Sequence, residues 1–153
     1  MKKYELLRIN DVLVKSINYQ NHEFAYAIFK NKQIIENALL EVDFMNDVAP
    51  EYVEYENKRI DLCRKTCKKD SNGMDIVKDG RFEIEDTETF KRVMEELREM
   101  YKLHIDKRDE QINLFNQIMQ QDIELQFVMV EKKDLPVEIK TATEMFEYGF
   151  MIL

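Results

Sequence analysis

The chain has 153 residues, 44% hydrophobic and 35% charged, with a net charge of −8. That acidic balance repels phosphates and makes the chain a poor general binder of nucleic acid, though a local basic patch or an imitation of nucleic acid stays open. No stretch approaches the ~18 apolar residues of a membrane span, and the start MKKYELLRIN lacks the apolar run of a signal peptide.

Three Gly and two Pro among so many charged residues favour long helices with solvated outer faces. The length suits one domain. Two cysteines fit a reduced, cytosolic protein, and nine Met with no Trp give a soft core.

Residues 4–9, YELLRI, read as a strand or a first helical turn. Asn10-Asp11 is a helix-start pair, and Val12, Leu13 and Ile17 suit a short helix ending near Ser16. A second helix is predicted from His22 to about Met45, because Phe24, Ile28, Ile35, Leu39 and Val42 recur on one face. A break is expected near Ala49, since the residue before a proline avoids helical geometry. Pro50 then opens a third helix to about Lys69.

Asn72-Gly73 and Asp79-Gly80 are tight-turn pairs. Ile76-Val77 and Phe82-Glu83-Ile84 flank the second of them as short strands. Asp86-Thr87-Glu88 caps a long helix over 87–121, about 50 Å at ~1.5 Å per residue. Its apolar positions are Phe90, Met94, Leu97, Tyr101, Ile105, Ile112, Phe115 and Met119, and Arg108 fills the one gap in the stripe. Residues 122–132, DIELQFVMVEK, alternate like a strand and are expected to pair with residues 4–9. A closing helix over Thr141–Tyr148 is expected to deliver Met145, Phe146, Phe150 and Ile152 to the core.

The implied fold is mainly α. Residues 22–69 and 87–121 are expected to form an elongated antiparallel helical hairpin, with a β-hairpin tip at 70–86. The termini, 1–21 and 122–153, are expected to form a small α+β base.

Phe24-Ala25-Tyr26-Ala27-Ile28 followed by Lys30-Asn31 resembles an N-terminal motif of phage and prophage proteins of unknown function from Gram-positive bacteria. The resemblance continues through Pro50, the Glu51-Tyr52 to Tyr55-Glu56 stretch, Arg59, Lys69-Asp70 and Asn72-Gly73. It ends at Asp134-Leu135-Pro136 and Met151-Ile152, so it covers most of the chain. These matches are turns, caps and apolar positions. The family has no assigned catalytic residues, so none carries over. What the resemblance implies is a phage product acting in the cytoplasm of an infected bacterial cell.

Chemistry-bearing clusters are sparse. Cys63 and Cys67 lie four apart on one helix face, without the further ligands or the spacing of a zinc site, and read as buried thiols. His104 has no nucleophile pattern near it and reads as a structural histidine. Asp70, Asn72 and Asp75 do not follow the calcium-loop order and read as turn residues. If the tip sets residue 70 opposite 87, Arg108 faces residue 49, and it either forms an ion pair with Asp47 or Glu51 or snorkels to solvent.

Residues 36–56 hold seven acidic residues and no Lys or Arg. On a continuous helix, Asp43, Asp47, Glu51 and Glu54 would form one stripe at roughly 6 Å intervals, a spacing that imitates nucleic-acid phosphates. A solvated helix face is the plainer reading. Neither cofactor nor metal is expected. The expected role is non-enzymatic: binding a protein partner, so as to inhibit a host or defence complex or, alternatively, to assist assembly of phage structural proteins. The partner surface is expected on Asp43, Asp47, Glu51, Tyr52, Glu54, Tyr55 and Arg59, with Asn72 and Arg81 at the tip. Direct nucleic-acid or membrane contact is not expected, and a homo-oligomer remains open.

Overall fold

The computed structural model describes residues 1–139 and 141–153. Its elements are α1 (Glu5–Lys15), α2 (His22–Leu39), a 3-10 turn (Leu40–Asn46) and α3 (Pro50–Thr66). There follow β1 (Val77–Lys78), β2 (Arg81–Phe82), α4 (Thr87–Met119), a 3-10 turn (Lys132–Asp134) and α5 (Ala142–Glu147). The mainly helical expectation with a small antiparallel β component holds. The chain forms two compact units, Met1–Phe44 with Leu114–Leu153, and Met45–Asn113.

In the first unit, α1 begins five residues before the expected Asn10-Asp11 start. Leu6, Ile9 and Leu13 are buried at steps of three and four. That period overrides the local capping signal, and Asn10-Asp11 is carried inside the helix. Of the two readings of 4–9, the helical turn holds, with residues 5–9 inside α1, and the strand does not form. In α2, Phe24, Ile28 and Ile35 are buried as expected, and Asn21 caps it by accepting the Phe24 N–H at 3.1 Å.

The expected strand at 122–132 is also absent. Residues 123–129 take no regular secondary structure and lie between isolated bridges at Lys2–Asp122 and Val130–Ile152. The supposed partner has become helix, so the backbone of Val128 pairs instead with a side chain. Its N–H donates to Asn31 Oδ1 at 2.7 Å and its carbonyl accepts from Asn31 Nδ2 at 3.0 Å. Asn31 sits where the α2 stripe skips from Ile28 to Ile35, and it is fully buried.

The closing helix is shorter than expected and turned differently. Thr141 and Glu144 form a capping box at its start. Tyr148 and Met151 enter the core, Tyr148 meeting Phe24 edge-on at 5.3 Å and Ser16 Oγ at 2.7 Å. Phe150 and Ile152 pack partly buried against that core. Met145 and Phe146, expected in the core, are exposed instead.

In the second unit, α3 and the following part of α4 pack through Tyr55, Leu62, Met94, Leu97 and Tyr101. Tyr55 meets Tyr101 at 5.9 Å, Glu51 lies 3.8 Å from His104, and Arg108 reaches Met45. These contacts run antiparallel, with Arg108 meeting a residue four positions before the expected residue 49. Proline at the first turn starts α3 as predicted, and α3 ends at Thr66, three residues early. The hairpin turns at Asp79 and Gly80, both at positive φ, which suits a primed two-residue turn. Asp86 caps α4 by accepting the Thr89 N–H at 3.0 Å.

Candidate functional site

The residues expected to form one partner surface are dispersed. Asp43 lies in the 3-10 turn and Asp47 in the irregular stretch before α3. The helix is therefore not continuous through 43–54, and the steps of four, four and three no longer define one helical face. Glu54 is further neutralised by Lys58 at 2.8 Å, and that contact holds its carboxyl below the usual range.

Tyr55, expected on the partner surface, and Tyr101, expected in the apolar stripe of α4, are each 7% exposed and belong to the core of the second unit. The Tyr101 hydroxyl accepts a hydrogen bond from Lys58 Nζ at 2.6 Å. Tyr52 is half-buried against that core. Its hydroxyl is pushed above its ordinary value, chiefly by burial.

Arg108 does not form the expected ion pair with Asp47 or Glu51. Its Nη1 donates to the Met45 carbonyl at 3.0 Å and to Gln111 Oε1 at 3.1 Å. Gln111 Nε2 in turn donates to the Asp47 carbonyl at 3.2 Å. The end of the 3-10 turn, at Met45, and the irregular stretch before α3, at Asp47, present carbonyls that the donors on α4 take. A cleft of about 190 Å³ is left here, lined by Asp47, Tyr52, His104, Lys107, Arg108 and Gln111. His104 Nδ1 is closed from solvent and makes no hydrogen bond among the described residues. Glu51, at 3.8 Å, is too far to accept one.

Arg59 and Arg81, expected at separate places, line one cleft of about 370 Å³ with Ile60, Phe82, Ile84 and Phe90. Glu56 holds Arg59 in a two-point fork at 2.9 and 2.7 Å. Cys63 is at the same cleft, and burial raises its thiol pKa, which favours the unreactive form. Both cysteines are buried and free, as expected.

Asn72 is exposed in its turn, where Asp70 Oδ1 accepts the N–H groups of Asn72 at 2.8 Å and Met74 at 2.9 Å. The Asp75 carboxylate pairs with Lys69. Turn chemistry thus occupies both carboxylates. Among the described residues no three His, Cys, Asp or Glu gather as a metal would require, and no helix is long and apolar enough to cross a membrane.

The feature that sequence reasoning missed lies in the first unit. Phe146 is 76% exposed beside a groove of about 550 Å³ lined by Lys132, Leu135, Met145, Phe146, Ile152 and Leu153. Helical spacing held the signal: in so short a helix, a face that buries Tyr148 cannot also bury Phe146, two residues away. No family model matches the chain, and neither a curated protein nor a solved structure matches it significantly.

Proposed function

We propose that the chain works without catalysis, by binding a protein partner through the groove beside α5. The observation that carries this reading is the exposure of Phe146 at a mainly apolar groove. Met145 and Leu153 are exposed alongside it, with Lys132 at the edge. An aromatic side chain held on a capped turn beside such a groove is the usual form of an interface anchor. A protein side chain of apolar character is the occupant that matches this lining.

The resemblance to phage and prophage proteins implies action inside a bacterial cell, and we take the partner to be a host or defence protein there. Assembly of phage structural proteins is the alternative. Imitation of nucleic acid has lost its geometric basis, because the acidic residues 43–54 do not share one helix and Glu54 is paired with Lys58. The proposal therefore moves the partner surface from residues 43–59 to the C-terminal segment.

The test is affinity capture from phage-infected cells with the natural chain and with Phe146→Asp, both read by mass spectrometry. Phe146 is exposed, so the variant is expected to fold and to lose at least about tenfold of the specific capture. Capture of the same proteins at the same level by both chains would refute the groove as the binding surface.

A further inference from the structure

The cleft holding Arg59 and Arg81 shares no residue with the partner groove, and of its walls Phe90 also packs against the core of the second unit. It measures about 370 Å³, within the range of small-ligand clefts, roughly 300–1,000 Å³. Its walls are apolar and partly aromatic, from Ile60, Phe82, Ile84 and Phe90. Two guanidiniums line it. Arg59 spends two donors on Glu56, which cancels its charge and fixes its plane. Three of its five N–H donors remain. Arg81 is exposed and has no hydrogen-bond or ion-pair partner among the described residues. The nearby Glu83 is taken by Lys68 and by Lys78, the latter at 2.9 Å. One positive charge is left uncancelled beside two phenyl rings.

We infer that this cleft binds an acidic peptide segment that sets an aromatic side chain next to a single carboxylate. The ring would pack on Phe82 and Phe90, and the carboxylate would accept from Arg81, with Arg59 as a pre-oriented second donor. Gly80 leaves the mouth open, since a Cβ built there meets nothing within 4 Å. One uncancelled charge matches a carboxylate better than a doubly charged phosphate. This site lies in the second unit and does not depend on the Phe146 groove.

The experiment titrates the isotope-labelled full chain with N-acetyl-Phe-Glu-amide while following the Arg Nε–H signals and the Phe82 and Ile84 amides by NMR. Saturable shifts at Arg81, Arg59 and Ile84 are expected. The uncharged N-acetyl-Phe-Gln-amide should bind about tenfold more weakly, the loss of one charge-assisted pair. Arg81→Ala should weaken the acidic peptide by the same factor while leaving the rest of the spectrum in place, since Arg81 is exposed. Non-saturating shifts, equal binding of the two peptides, or no effect of Arg81→Ala would each overturn the inference. Stronger binding of phenyl phosphate than of the acidic peptide would overturn it in favour of a phosphate site.

Discussion

The amide of Asn31 takes the place of a neighbouring strand, giving Val128 both a donor and an acceptor. Removing it leaves two backbone groups unsatisfied. Asn31→Leu is expected to lower stability by about 2–4 kcal/mol, measured by urea denaturation. Arg108 plays a similar part at Met45. Its partner is a carbonyl, so reversing charge at Arg108 together with Asp47 or Glu51 is expected not to restore stability. Full rescue in Arg108→Glu with Asp47→Arg would contradict this geometry. Glu83 is the residue with the clearest pH signature. Lys68 and Lys78 lower its carboxyl from the ordinary 4.5 to about 2. A lowered carboxylate stabilises fully above its ordinary value and loses that contribution as pH falls through the folded one. The stability of the hairpin should therefore fall between pH about 4.5 and 2. Glu83→Gln should flatten that slope, as followed by NMR of the β1 and β2 amides.

At the scale of elements, local chemistry and apolar period carried different amounts of information. The Asp79-Gly80 turn, the Pro50 start and the Asp86 cap were legible because each is decided within a few residues of chain. Gly80 sits at φ +74 with open space around it, so Gly80→Ala carries only conformational strain. A loss of about 1 kcal/mol in thermal or urea unfolding is expected. The stripe on α4 was legible from Phe90 to Ile105 because a 33-residue helix repeats its signal many times, whereas Ile112 is exposed and Ile118, off the expected stripe, is buried. The stretch 123–129 was misread because alternation reports which side faces the core, not whether a neighbour exists to form a ladder. Its expected partner had a better use for Leu6, Ile9 and Leu13 as a helix face.

For the molecule as a whole, the buried hydrophobic residues gather into two clusters. One gathers Leu6, Leu13, Phe24, Ile35 and Met151, and the other Tyr55, Leu62, Met94, Leu97 and Tyr101. Each should respond to its own cavity. Leu6→Ala is expected to cost about 3 kcal/mol, read by hydrogen exchange as lost protection in α1 and α2 with α3 retained. Leu97→Ala should produce the reverse pattern. Uniform loss across all amides in both variants would show that the clusters unfold as one. The sequence by itself determined the mainly helical character, the Asp79-Gly80 turn, the Pro50 start of α3 and the Asp86 cap of α4. These follow from short-range sterics and from periods that repeat along one element. Only the tertiary structure decided which residues meet. Asn31 finds Val128, Arg108 finds a carbonyl instead of a carboxylate, and Arg59 and Arg81 share a cleft. Phe146 is left outside because Tyr148 and Met151 take the buried side of the C-terminal segment. Burial is a competition among residues distant in sequence, and no single stretch records its outcome.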